Sequence, residues 1–172
     1  MSSHNKQKIA VGILAASLGF FGLVKEKEGF TSKPVVPTKG DVPTIGHGTT
    51  VYPNGVSVTL HDRPITRATA DHYLRQHVSK TERQLKNSIP KVALSQTEYD
   101  VYLDFVYQYG IGAFNKSSMR TNLLQRQYTQ ACRSLLQYRY VAKRDCKVRS
   151  NNCYGVYTRQ LERYKKCIGE NQ

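Results

Sequence analysis

Apolar residues recur along this chain in three patterns, and each predicts a different kind of element. Ile9 to Val24 (IAVGILAASLGFFGLV) runs for sixteen residues without a charge. From Thr44 to Leu60, short β-branched stretches are separated by turn residues. Thr44–Gly48 predicts a strand and Tyr52-Pro53-Asn54-Gly55 a turn. Val56, Val58 and Leu60, alternating with Ser57 and Thr59, predict a second, half-buried strand of a small antiparallel hairpin or meander. Beyond Thr66 the period becomes helical: Ala70, Leu74, Val78, Thr81 and Leu85 form the inward stripe of a helix running to about Asn87, which Pro90 breaks.

Ser95-Gln96-Thr97-Glu98 reads as a capping box opening the next helix, with Tyr99, Tyr102, Leu103, Val106 and Tyr109 on its buried face and Gly110 as its C-terminal cap. Helical patterns follow around Met119–Gln127 and Tyr128–Tyr138. The basic, polar stretch Lys143–Cys153 reads as a loop, and Tyr157, Leu161, Tyr164 and Ile168 as the stripe of a final helix. One helix, a small sheet and then only helices define the α+β class, with the sheet near the N-terminus. A cleft between a small β-containing lobe and a larger helical lobe is where a long polymer is expected to lie.

The chain has 172 residues, enough for an N-terminal appendage (1–24) and one domain with a core of its own (25–172). A spanning helix needs about 20 apolar residues, so Ile9–Val24 is short for one, and it is rich in glycine and alanine. Lys6 and Lys8 precede it, and Lys25, Glu26 and Lys27 follow. Three readings compete: a cleaved signal, a core helix of the folded domain, and a weak, uncleaved anchor able to leave the bilayer. Cleavage after Ala16 would leave Leu18–Val24 as an unshielded apolar terminus, which favours the anchor. A transient inner-membrane partner through residues 9–24 is therefore expected.

Lys and Arg number 26 against 12 Asp and Glu, a formal net charge of +14. Such a surface attracts polyanions, be they nucleic acid, anionic lipid or cell wall. No nucleic-acid docking motif is present, so nucleic acid is not an expected partner. The four cysteines, Cys132, Cys146, Cys153 and Cys167, suit two disulfides in an oxidising compartment, and their spacing contains no C-x2-C pair of a zinc site. Of three connectivities, Cys146 with Cys153 and Cys132 with Cys167 is preferred. The five histidines, among them His4, His47, His72 and His77, form no ligand motif, and neither a metal nor any other cofactor is expected.

The chemistry concentrates in EGFTSKPVVPTKGDVPTIGHGTT, residues 28–50. Glu28 closes a helix-forming stretch, followed by Gly29. Asp41 and Thr44 follow in a Gly/Pro-bounded segment leading into a strand. Two carboxylates facing a polymer-binding cleft are the minimum apparatus for hydrolysing a glycosidic bond. Glycines at alternate strand positions, Gly46 and Gly48, suit the close approach of something bulky.

With these residues the chain resembles the phage lysozyme family, the endolysins of glycoside hydrolase family 24. The resemblance rests on Glu28-Gly29, on Thr44-Ile45-Gly46-His47-Gly48, on the aromatic–Gly–x–Gly–aromatic segment around Tyr109-Gly110-Ile111-Gly112-Ala113-Phe114, and on Gly155-Val156-Tyr157-Thr158-Arg159-Gln160-Leu161-Glu162. It implies a lysozyme-like fold and a monomeric muramidase that cleaves the β-1,4 bond between N-acetylmuramic acid and N-acetylglucosamine in peptidoglycan. Glu28 would be the general acid, kept protonated by partial burial. Asp41 would be the water-activating carboxylate and Thr44 would position the water. Gly46, Gln108, Tyr109 and Gly110 would touch the sugar. The spacing departs from the family's: its second carboxylate falls on Thr38 when counted back from Thr44, so Thr38 competes with Asp41 for the water. Tyr107 and Tyr109 read more naturally as core than as sugar platforms.

A subset of the family carries a signal-anchor-release segment, which Ile9–Val24 resembles. This implies a path from the host inner membrane to the periplasm, ending in cell lysis. Two other functions fit some of these features: a non-enzymatic cationic membrane-binding protein, and a lytic transglycosylase using Glu28 alone.

Overall fold

The computed structural model describes residues 7–171; His4 and Lys6, cited above, lie outside them. The chain divides into two compact units, one formed by residues 16–83 and the other by the N-terminal residues to Ala15 together with the chain from Gln84 onward. The apolar run is therefore shared between them.

In the unit of residues 16–83, helix α1 spans Leu18–Glu28. Ser17 caps it, its hydroxyl accepting the Phe20 N–H at 3.0 Å. Phe20 and Val24, one turn apart, are the side chains it buries. Gly29 ends it at φ +68°, its N–H bonded to the Lys25 carbonyl at 2.9 Å, a conformation that costs glycine nothing. Strands β2 (Thr31–Val35) and β3 (Thr44–Gly46) then pair antiparallel, with Thr31 opposite Gly46 and Val35 opposite Thr44. Between these two pairs, three residues of β2 stand against one of β3, so the ladder is irregular there. The partner of β3 is thus β2, which the hydrophobic pattern did not single out.

The expected strand at Val56–Leu60 does not form. Val58 is buried and bonds the Thr50 carbonyl at 2.9 Å, but Val56 and Leu60 are exposed and only an isolated bridge joins Val51 to Ser57. The cause lies in Asp62, whose carboxylate accepts the Thr59 N–H (2.9 Å), the Thr59 hydroxyl (2.7 Å) and the Tyr52 hydroxyl (2.7 Å). These bonds turn the chain where a strand would continue.

Helix α2 spans Arg67–Ser88, opened by the Thr66 hydroxyl accepting the Thr69 N–H at 3.1 Å. Its expected stripe is buried throughout: Ala70, Leu74, Val78, Thr81 and, in the other unit, Leu85.

The helical unit begins with β1 (Ile9–Ala10), paired antiparallel with β4 (Ala93–Leu94). Val11 and Leu14 are buried beside it. Helix α3 spans Gln96–Asn115 and opens with the capping box read from the sequence: Ser95 accepts the Glu98 N–H, and the Glu98 carboxylate accepts the Ser95 N–H. Gly110 sits at φ +80°, ψ 158° and kinks the helix where a cap was expected, and helical turns then resume to Asn115. Helices α4 (Ser118–Leu124) and α5 (Tyr128–Ser134) pack together, and a 3-10 turn, Leu135–Gln137, follows α5.

Residues 143–153 are more ordered than a loop. Strands β5 (Tyr140–Val141) and β6 (Arg144–Asp145) form a small hairpin, with a 3-10 turn at Arg149–Asn151. Helix α6 (Tyr154–Ile168) packs on α3 and α5, but not by the stripe read from the sequence. Gln160, Arg163 and Cys167 are its buried residues, while Tyr157, Leu161, Tyr164 and Ile168 are half-buried. An ion pair and a disulfide carry those polar positions inside. The Cys132–Cys167 bond ties α5 to α6, and Cys146–Cys153 closes the loop before α6.

Candidate active site

Glu28 is the last residue of α1, and its backbone is held from two sides. The His47 Nδ1–H donates to the Gly29 carbonyl, the next residue along. The other ring nitrogen of His47 lies 3.1 Å from the Asp71 carboxylate on α2. Lys25, one turn before Gly29 on α1, bonds the same Asp71 oxygen at 2.8 Å. The His47 ring is buried, with the Phe30 ring 5.7 Å away and the Arg67 guanidinium 4.4 Å over Phe30. The end of α1 is thereby fastened to α2, and Glu28 is positioned by its neighbours while its own side chain stays free. The Lys25 hydrogen bond, with a smaller contribution from His47, holds the Asp71 carboxyl below its usual range. A depressed carboxyl stabilises the fold at higher pH, and that contribution is lost as pH falls through the lowered value.

Glu28 is exposed, so the partial burial expected for it is absent. Gly48 lies beneath its carboxylate: a β-carbon there would stand 2.9 Å from the Glu28 Oε2. Gly46, expected to touch substrate, is buried against α2 instead. A β-carbon on it would meet Ala70 Cβ at 2.9 Å and Ile65 Cδ1 at 3.2 Å. Both glycines have positive φ, +67° and +77°. One is required by packing, the other by the carboxylate, which gives a paired expectation. Gly46→Ala meets packed side chains and lowers stability by about 2–4 kcal/mol in denaturant titration. Gly48→Ala displaces a flexible side chain, so turnover falls roughly tenfold to hundredfold with a smaller stability loss.

Thr44 begins β3, half-buried, its hydroxyl 3.5 Å from the Val35 carbonyl. Asp41 lies in the loop joining β2 to β3, in a turn closed by its N–H on the Thr38 carbonyl at 2.9 Å, with Gly40 at φ +95°. Its side chain is exposed. The ladder places Gly46 opposite Thr31, near Glu28, and Thr44 at the end leading into the Asp41 loop. Among the described residues neither the Glu28 nor the Asp41 carboxylate has a hydrogen-bond partner or ion pair, so both are available to a ligand.

In the helical unit, Gln108, Tyr109 and Gly110 lie together before and at the α3 kink. The Arg163 Nη2 donates to Gln108 Oε1 at 2.6 Å. A guanidinium only donates, so this fixes the amide and leaves the Gln108 NH2 as a donor at an exposed residue. The Tyr109 hydroxyl accepts from Gln160 at 2.7 Å, and its ring stacks on Phe105 at 4.7 Å, which makes it a packing residue. Arg163 also grips Asp104 (Nη2 to Oδ2 2.6 Å), both side chains buried. Sequence reasoning did not single out His47, Asp71, Lys25, Gly48, Arg163 or Asp104 for these roles. His47 and Gly48 stood inside a motif already noted, whereas Asp71 and Asp104 look locally like any polar helix residue.

The model of the family described as phage lysozyme matches residues 25–162. Among curated proteins none matches the chain significantly. Several solved structures share the fold. The endolysin of the Escherichia coli O157:H7 phage FAHEc1 superposes with a TM-score of 0.74 at 23% identity, covering 91% of this chain and 95% of that one. A point mutant of P22 lysozyme gives 0.72 at 22% identity, covering 91% and 99%. The active form of the P1 phage endolysin Lyz gives 0.72 at 13% identity, covering 94% and 89%. At such identities the likeness shows a lysozyme-like fold, while the family match, spanning most of the chain, shows kinship: the chain belongs to the phage lysozyme family of peptidoglycan-degrading glycoside hydrolases.

Proposed function

We propose that the protein is an endolysin that hydrolyses the β-1,4 bond between N-acetylmuramic acid and N-acetylglucosamine, with Glu28 as general acid. The observation carrying this reading is the unpartnered Glu28 carboxylate over Gly48, at the end of a helix fastened by His47, Asp71 and Lys25. Glu28 donates its proton to the leaving glycosidic oxygen. Asp41, ionised, polarises a water attacking the opposite face of the sugar, and the Thr44 hydroxyl orients it, giving inversion at the anomeric carbon. The free Gln108 amide donor suits an acetamido carbonyl. Thr38 is the rival to Asp41, and lysis of permeabilised cells separates them. Asp41→Asn is expected to lose at least about a hundredfold in rate while Thr38→Val keeps most of it; the reverse result reassigns the water to Thr38.

The reading extends to residues 9–24 as a releasable anchor in the host inner membrane, with the enzyme acting afterwards on periplasmic peptidoglycan. Two exposures support it. Ile13 and Leu18 are 78% and 85% exposed in the folded chain, more than a segment serving only as core requires. No described helix is long and apolar enough to cross a membrane, so anchoring needs a conformation other than the folded one. In the folded one the segment has duties. Lys8 pairs with the fully buried Glu98 at 2.5 Å and lies 4.1 Å over the Tyr128 ring, and β1 completes the pair with β4. Holding residues 9–24 in lipid removes β1 and withdraws Lys8 from a buried carboxylate, so the anchored enzyme is latent. Collapse of the membrane potential is expected to move the protein from the membrane to the soluble fraction together with the onset of lysis. Lysis by a pool that stays wholly membrane-bound contradicts this.

A further inference from the structure

We propose that the disulfide-closed hairpin before α6, residues 139–153, docks on an anionic phospholipid surface. Five cations (Arg139, Lys143, Arg144, Lys147, Arg149) fall within eleven residues, against one carboxylate, Asp145. Asp145 is taken up internally by Arg139 at 3.0 Å, a bond that holds its carboxyl below the usual range. Lys143, Arg144, Lys147 and Arg149 are exposed. Interleaved with them are Tyr140, Val141 and Val148, exposed to 54%, 37% and 49%. Single exposed apolar residues are ordinary, but here three share one short hairpin segment with four exposed cations, of which Arg149 lies 4.1 Å over the Tyr154 ring while Tyr140 and Val141, consecutive on β5, point to opposite faces of the hairpin.

The backbone is shaped to present it. Val141 pairs with Arg144 across a two-residue tip, Ala142-Lys143, with φ of +46° and +65°. Tips of this kind take Asn-Gly or Gly without strain, so an alanine and a lysine there run against backbone preference and keep a cation at the apex. The hairpin is also fixed in advance. The Cys146 N–H bonds the Arg139 carbonyl at 2.9 Å, Asn151 bonds the Asp145 carbonyl at 2.8 Å, and Cys146–Cys153 closes the loop. A preformed surface loses little order on binding.

The mixture of side chains selects the partner. A hydrophilic polyanion such as wall polymer gains from the cations and nothing from the valines. A bilayer interface takes both, with Lys and Arg at the phosphates and Tyr and Val at the boundary with the acyl chains. The proposal makes no use of Glu28 and stands apart from the hydrolase reading.

The chain has no tryptophan, so Val148→Trp installs a sole reporter in the full-length protein, and Val56→Trp, an exposed position in the other unit, is the control. Each is titrated with vesicles of phosphatidylcholine alone or with about one third phosphatidylglycerol. The expected result is a blue shift of the Val148→Trp emission, quenched by brominated acyl chains, on anionic vesicles only, with no shift for Val56→Trp. Adding Lys143→Ser, Arg144→Ser and Lys147→Ser to the reporter raises the lipid concentration needed for half-maximal shift roughly a hundredfold. The rate on soluble peptidoglycan fragments is unchanged. Residues 9–24 are the same in every variant, so their own membrane affinity does not produce these differences. No shift on anionic vesicles overturns the proposal, as does an equal shift on neutral ones. Salt-sensitive binding to the vesicles without a shift means that charge alone holds the protein at the headgroups while position 148 stays in water, and overturns the docking of this hairpin too.

Discussion

Glu28→Gln is expected to abolish lysis while leaving the fold intact. The substitution keeps shape and removes only the transferable proton, and losing a general acid costs about 10²–10⁴-fold or more in rate. Stability should change by no more than about 0.5 kcal/mol, because the side chain is exposed and bonds nothing among the described residues. The elements that position it, His47 on Gly29 and Lys25 on Asp71, do not involve the carboxylate. Turbidity assays on permeabilised cells with a parallel denaturant titration measure both halves. A fully active variant removes Glu28 from the chemistry. An inactive variant that is also unfolded shows instead that the carboxylate is structural.

The second large effect belongs to stability. Arg163→Met is expected to destabilise the protein by about 3–5 kcal/mol, because it leaves the buried Asp104 carboxylate without its cation. The pair joins α6 to α3, and the same guanidinium fixes the Gln108 amide. Replacing both partners tests the reason. Asp104→Leu with Arg163→Met removes the buried charge altogether, and should recover most of the lost stability, since apolar pairs replace buried ion pairs at little cost. A double variant as unstable as the single one shifts the cause from the stranded charge to the shape of the guanidinium.

How far the sequence disclosed this molecule differs from element to element. Helix α2 was legible because its stripe is apolar, and α3 because Ser95 and Glu98 satisfy each other's backbone within four residues. Both signals are local. The stripe of α6 was misread because its inward positions are Gln160, Arg163 and Cys167, made tolerable inside by Asp104, Tyr109 and Cys132 far away in sequence. Val56–Leu60 alternates as a strand should, yet the bonds from Asp62 that turn it leave no periodic trace. The same division holds at the site. Glu28 and the glycines stood out, but of the two glycines the one chosen for substrate, Gly46, packs on Ala70, and Gly48 lies against the carboxylate. A strand pattern tells which residues alternate; it does not tell which face meets a helix and which meets a side chain.

On the proposed mechanism this chain cuts a sugar–sugar bond with a proton from Glu28 and a water from the opposite face. Chromatography of purified peptidoglycan digests, with the anomer of the newly formed reducing end followed by NMR in the first minutes, tests it most directly. The expected products carry N-acetylmuramic acid at the reducing end, released initially as the α-anomer, and Glu28→Gln gives none. A 1,6-anhydro sugar, an initial β-anomer, or an unchanged digest from Glu28→Gln would contradict it.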